Sequence, residues 1–180
     1  MSHFSLMARF NAWVNRRLYA AVSTIDDDSY RRGRGAFFGS VHATLNHLMV
    51  VDRMWTRRIE GVDHGLMGLD QILHEDFSSL RDARVGEDAR LVALVDALPP
   101  ERLGERVTYE RMIGSGREEM RVDHILLTLF NHQTHHRGQI HVMLTQDGHE
   151  VPPLDVGFFL EDFGWSGDAG TSRDPVLDGT

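Results

Sequence analysis

The 180-residue chain carries 27 acidic residues against 19 basic ones, a formal net charge of −8, with 41% hydrophobic and 26% charged residues. That length and balance suit one globular domain with a sizeable core, oppose non-specific binding to nucleic acid or anionic lipid, and leave no apolar run long enough to span a membrane. Cysteine and lysine are both absent, so all 19 basic residues are arginine; this excludes disulfides, thiolate ligands, a protein thiol nucleophile, Schiff-base catalysis and P-loop chemistry.

The opening MSHFSLMARFNAW has no basic leader followed by an apolar stretch and a small-residue cleavage site, so a cytoplasmic location is the expectation. From Phe4 to Ile25 the residues Met7, Phe10, Val14, Leu18, Ala21 and Ile25 recur at helical spacing and predict a first long helix. The acidic run Asp26 to Asp28 ends it, and the glycine-bearing SYRRGRGAFFGS reads as a loop. Its arginines, Arg31, Arg32 and Arg34, are read as a solvated charge run in preference to an anion site.

A second helix is predicted from Ser40 to Glu60 on the stripe Val41, Leu45, Leu48, Val51, Trp55 and Ile59. His47 sits at the edge of that stripe, where it can reach the centre of a bundle, and His42, five residues earlier, points well away from it. Residues 61 to 77 form a long connection with a helical turn expected near Asp70 to Leu73. A third helix follows from Ser78 to Leu98, interrupted by Gly86 and closed by Pro99 and Pro100. Between Glu105 and Arg121 the short runs RVTYE and REEMRV flank the turn MIGSGR, a small exposed hairpin.

The stretch from Asp123 to Asp147, DHILLTLFNHQTHHRGQIHVMLTQD, organises the rest. Ile125, Leu129, Ile140 and Met143 lie on one helical face, and the steps that complete it fall on His132 and His136. Asp123 is the expected N-cap and Gly148 the residue just past the end. A lone histidine on an apolar face is more often a hydrogen-bonded core residue than a ligand. Two imidazoles four residues apart are different, because one cation satisfies both rings and a single helix can supply both ligands. After this helix, LDVGFFLEDF is expected to cap the bundle with Phe158 and Phe159, and residues 164 to 180 to form a loose tail.

Four stretches together, MARFNAWVNRRLY, AFFGSVHATLNHLMVVDRMW, FNHQTHHRGQIHVMLTQ and PPLDVGFFL, resemble the DinB family of metalloenzymes over nearly the whole chain. The resemblance implies an all-α, up-down-down-up four-helix bundle over residues 1–163 with the hairpin inserted before the last long helix. It implies a divalent metal held by His47, His132 and His136, with His42 and His135 outside the ligand set, and a homodimer. Better understood members of the family use a low-molecular-weight thiol in transferase or isomerase chemistry, and others are considered hydrolases.

Three neutral imidazoles leave a coordination position open, the mark of a catalytic site, and suit zinc or nickel, with iron a further option. The expectation is therefore a metal-dependent hydrolase or thiol-dependent transferase acting on a small molecule, with no nucleic-acid or membrane partner. The rival is a non-catalytic metal- or ligand-binding module. On the second helix, Asp52 is a candidate base whose position also suits a structural pairing with Arg137, and the structural reading is preferred. Gln139, one turn beyond His136, is placed either to orient a ligand or to bond a neighbouring helix. Phe10, Trp13, Val14 and Tyr19 on the first helix are candidates for a dimer face, with internal packing as the other use.

Overall fold

Four long helices arranged in a ring make up the computed structural model, which describes residues 1–164; the predicted tail therefore lies, from residue 165 on, outside the described residues. They are α1 (His3–Val22), α3 (Val41–Glu60), α4 (Phe77–Ala97) and α5 (Val122–Gln146), joined by the short α2 (Asp27–Arg31), a 3-10 turn at Pro100–Gly104, strands β1 (Arg106–Glu110) and β2 (Arg117–Arg121), and a closing helix α6 (Val156–Asp162). Each start except that of α5 and α6 among the helices is set by a short polar side chain that accepts a hydrogen bond from an otherwise orphaned backbone N–H. Ser2, Asp26, Ser40 and Asp76 receive the amides of Ser5, Ser29, Ala43 and Ser79.

Contacts fix the helix directions. Arg9 near the start of α1 pairs with Asp96 near the end of α4, and Tyr19 near the end of α1 stacks on Phe77 at the start of α4. By contrast α3 and α4 run in parallel, since Asp52 meets Arg84 and Thr56 meets Arg90. With α5 antiparallel to α3, the topology is up-down-down-up, as the resemblance implied. Two parallel consecutive helices need a connection that returns the length of the bundle, which explains the long segment 61–76. It begins where Gly61, at φ +73, closes α3 in the left-handed conformation that glycine adopts without a steric penalty.

Several expectations change in detail. Segment 61–76 contains turns and no helix at Asp70 to Leu73, because its polar groups are used to dock it onto α3: Asn46 Oδ1 accepts from the amides of Leu73 and His74. Gly86 does not interrupt α4, whose neighbours on both sides keep helical geometry. Asp123 is not the N-cap of α5. The helix emerges directly from β2 with Arg121 at the cap, and Asp123 sits in the first turn bonded to Arg121. The hairpin is present, with Arg106 opposite Arg121 and Glu110 opposite Arg117. It is anchored on the end of α3 by Tyr109, edge-on to Trp55 at 5.2 Å and capped by the Arg58 guanidinium at 4.1 Å.

The interior is layered. One apolar cluster joins Met54, Trp55, Ile59, Leu91, Ile125 and Leu129, and a second joins Leu18, Leu45, Met49, Leu80, Ile140 and Leu144. Between them lies a buried polar layer fed by all four long helices. Arg84 binds Asp52 at 2.7 Å and Asp88 at 3.0 Å; Arg137 donates to Asn11, Asn15 and Gln133; Asn11 and Asn15 donate on to Asp88; and Gln133 donates to Asp52. Two acids and two arginines thus neutralise one another inside hydrogen-bonded surroundings, the condition under which buried charge is tolerated. Burial raises the Asp52 and Asp88 carboxyls above their ordinary range, Asp88 to about 6, and lowers Arg137 to about 10. Although burial also opposes charge on Arg84, Asp88 and Asp52 hold its pKa above the ordinary arginine value.

The aromatic residues of α1 are consumed inside the chain. Phe10 and Trp13 each lie 5.7 Å, ring to ring, from Phe159 of α6, and Val14 and Tyr19 are buried in the bundle. They form no free face for a second subunit. Of the two phenylalanines expected to cap the bundle, Phe159 does so, fully buried, while Phe158 is exposed.

A candidate three-histidine metal centre

His47 comes from the second turn of α3 and His132 and His136 from the middle of α5, and the antiparallel packing of these helices brings the three rings together. One nitrogen of each lies within 4.8 Å of the others, and no carboxylate joins them among the described residues. His47 Nε2 lies 3.0 Å from His132 Nε2. Ring centroids are 4.9 Å apart for His47 and His132, 4.8 Å for His47 and His136, and 4.4 Å for His132 and His136.

Two of the rings are held from behind. The Nδ1–H of His47 donates to the carbonyl of Leu69 at 2.7 Å, and that of His136 donates to Gln139 Oε1 at 2.7 Å. These bonds set the tautomer and leave both Nε2 lone pairs free, the arrangement by which outer partners orient metal-binding histidines. His132 Nδ1 has no such partner and is buried. Burial lowers the pKa of His47 to about 4, with help from His136, and that of His132 to about 3, with help from His136 and His47. His136 is lowered too, chiefly by burial, against the bond from Gln139. All three are neutral at pH 7, as metal ligation requires.

The residues fit a divalent ion. Two imidazole lone pairs directed at each other across 3.0 Å repel unless a proton or a cation lies between them, and the donor set is nitrogen only, suited to zinc, nickel or ferrous iron.

The other sequence candidates sit elsewhere. His42 donates its Nε2–H to the backbone carbonyl of His74 at 3.1 Å and lies beside Tyr30, away from the cluster. His135 is exposed and contacts Gln139, which thereby links it to His136. Asp52 belongs to the polar layer. Its partner is Arg84 rather than Arg137, because parallel packing of α3 and α4 carries the arginine to it and Gln133 fills the space towards Arg137. Arg31 at the end of α2 and Arg32 and Arg34 beyond it pair with Asp27, Asp28 and Asp147, so these arginines are matched by acids.

Sequence reasoning missed Phe38 and Leu69. The Phe38 ring stacks on His47 at 3.7 Å with planes 21° apart and meets His136 edge-on at 5.5 Å. The signal for Phe38 was the GAFFG sequence, whose two glycines shape a turn just before the α3 cap; a backbone carbonyl such as that of Leu69 carries no sequence signal.

Comparison with known proteins agrees with this picture. The chain is 23% identical over 167 residues to the protein DinB of Bacillus subtilis, covering 89% of this chain and 95% of that one. Among solved structures it resembles a DinB-like protein of Bacillus cereus, with a TM-score of 0.57 and 19% identity over 78% of this chain and 90% of the other. It also resembles the DinB-like protein YjoA of Bacillus subtilis, with a TM-score of 0.61 and 15% identity over 83% and 97%. A match to the DinB family extends over residues 1–166, the whole bundle and its three-histidine cluster, and the chain belongs to the DinB family.

Proposed function

We propose that this protein is a metal-dependent enzyme, a hydrolase or a thiol-dependent transferase, whose His47, His132 and His136 hold one divalent ion, zinc or nickel before iron. The observation that carries the reading is the convergence of three neutral imidazoles with no carboxylate among them. A divalent ion in such a set supplies Lewis acidity, bringing the pKa of water to about 7 or deprotonating a coordinating thiol outright. The chain's own part is positional. Leu69 and Gln139 orient two of the rings, Phe38 shields a third side from water, and the packed helices hold the spacing.

The nucleophile must come from outside. The sequence has neither cysteine nor lysine, and Asp52, the acid considered as a base, is fully buried against Arg84. An external low-molecular-weight thiol or water meets that need. Loading with cobalt and following the ligand-field spectrum during titration with small thiols, azide and imidazole tests the reading. A response to any of them is expected; no response to all three means a closed shell, and a non-catalytic metal-binding module would replace the enzyme.

A homodimer is part of the proposal. Its support is the family resemblance together with Leu127 and Val142, both more than half exposed on the outward side of α5. Light scattering at micromolar concentration decides it, and a monomer there rejects it.

A further inference from the structure

Phe37 and Phe38 occupy a turn that leaves them little freedom. Gly35 and Gly39 on either side have φ of +71 and +82, values that favour glycine. The ends are tied by Arg34 N–H to Gly39 O at 2.8 Å and Gly39 N–H to Ala36 O at 2.8 Å, and Ser40 immediately caps α3. Held this way, Phe38 lies face to face with His47, and Phe37 stands edge-on to Phe38 at 4.9 Å. Phe37 is 86% exposed. It contributes nothing to the core, yet a tied turn keeps its ring one step outward from a histidine of the centre.

We infer that Phe37 and Phe38 form an aromatic wall of the metal centre and select a substrate or thiol that carries an apolar, ring-sized body next to its metal-directed group. The inference rests on the metal reading above and adds the class of molecule accepted. Continuity is the reason: a small molecule whose polar end reaches the histidines has Phe38 beside that end and Phe37 beside the next several ångströms of its length. Covering an exposed phenylalanine removes apolar surface from water, and an aromatic partner adds ring–ring attraction. A polar body in the same place would gain neither.

The test uses two thiols of similar acidity, benzyl mercaptan and 2-mercaptoethanol, titrated against the full-length cobalt-loaded protein with the ligand-field spectrum as readout. Benzyl mercaptan is expected to bind about tenfold more tightly to the natural protein. Phe37→Ala should bring the two thiols close to parity, and Phe37→Tyr should keep the preference, a pattern that a loosened turn would not produce. Because Phe37 is exposed, neither variant threatens folding. Equal affinities in the natural protein, a preference that survives Phe37→Ala, or a Phe37→Tyr protein that behaves like Phe37→Ala overturns the aromatic wall while leaving the metal reading intact. A cobalt spectrum unaltered by His132→Ala overturns the metal reading and this inference with it.

Discussion

His47 Nε2 faces His132 Nε2 at 3.0 Å although the two residues are 85 positions apart in the chain. Since the Nδ1 proton of His47 is committed to Leu69, a proton on His132 or a shared cation is what can occupy that gap. Under the proposed function such a pair would be a competition site between proton and metal, and its properties can be measured from both sides.

Removing one ring should empty the site. His132→Ala and His136→Ala are each expected to abolish stoichiometric binding of zinc or nickel, as read by metal analysis after dialysis. His42→Ala and His135→Ala should retain it, since neither ring belongs to the cluster. Full occupancy in His132→Ala would reject the assignment.

Gln139 should matter through His136. Its Oε1 accepts the Nδ1 proton of that ring, so Gln139→Leu is expected to weaken metal affinity by about 10-fold or more while leaving the stoichiometry at one. Competition with a chromogenic chelator measures it. An unchanged affinity would show that the ring orients itself without this bond.

The metal-free protein should lose stability as pH falls. In the unfolded chain His47 and His132 take up protons near the ordinary histidine value of about 6.5, whereas in the fold burial delays this to about 4 and about 3. Between those limits the unfolded state binds more protons, so stability is greatest above about 6.5 and declines towards about 4. Asp88, raised by burial to about 6, runs in the opposite direction. The decisive quantity is therefore the difference between the natural protein and His132→Gln in urea unfolding at pH 7.5 and pH 5. That difference should shrink at pH 5; if it grows, the sign is wrong.

The buried polar layer should be costly to break and cheap to replace. Arg84→Ala leaves Asp52 and Asp88 without their cation and is expected to cost about 3 to 5 kcal/mol in urea unfolding. Combining Arg84→Met with Asp52→Asn should recover much of the loss, because Asp88 and Arg137 then remain to balance each other. A loss below about 1 kcal/mol for Arg84→Ala would mean that water enters the layer.

The closing helix gives an internal control. Phe159→Ala is expected to cost about 3 kcal/mol, because the ring fills a fully buried site against Phe10 and Trp13. Phe158→Ala should stay within about 0.5 kcal/mol, its ring being exposed. Equal effects would contradict the docking of α6.

Local pattern along the chain suffices for the four long helices, the hairpin and the two histidines that replace core residues on α5. Those features depend on local periodicity, on capping residues such as Ser40 and on breakers such as Pro99, and so they can be read without knowing what lies opposite. His47 was legible as the edge of a stripe, and its membership of the ligand set came with the family motifs. Tertiary structure alone decided which charges meet. Asp52 pairs with Arg84 because α3 and α4 run in parallel, a consequence of the crossover at 61–76 that helical spacing does not contain. It also decided that Phe10 and Trp13 pack beneath α6 rather than face a partner, and that Phe38 and the Leu69 carbonyl complete the histidine centre. Each of these contacts joins segments whose approach is set by how whole helices and loops dock. A one-dimensional pattern records which residues seek burial, and only the docked chain records against what.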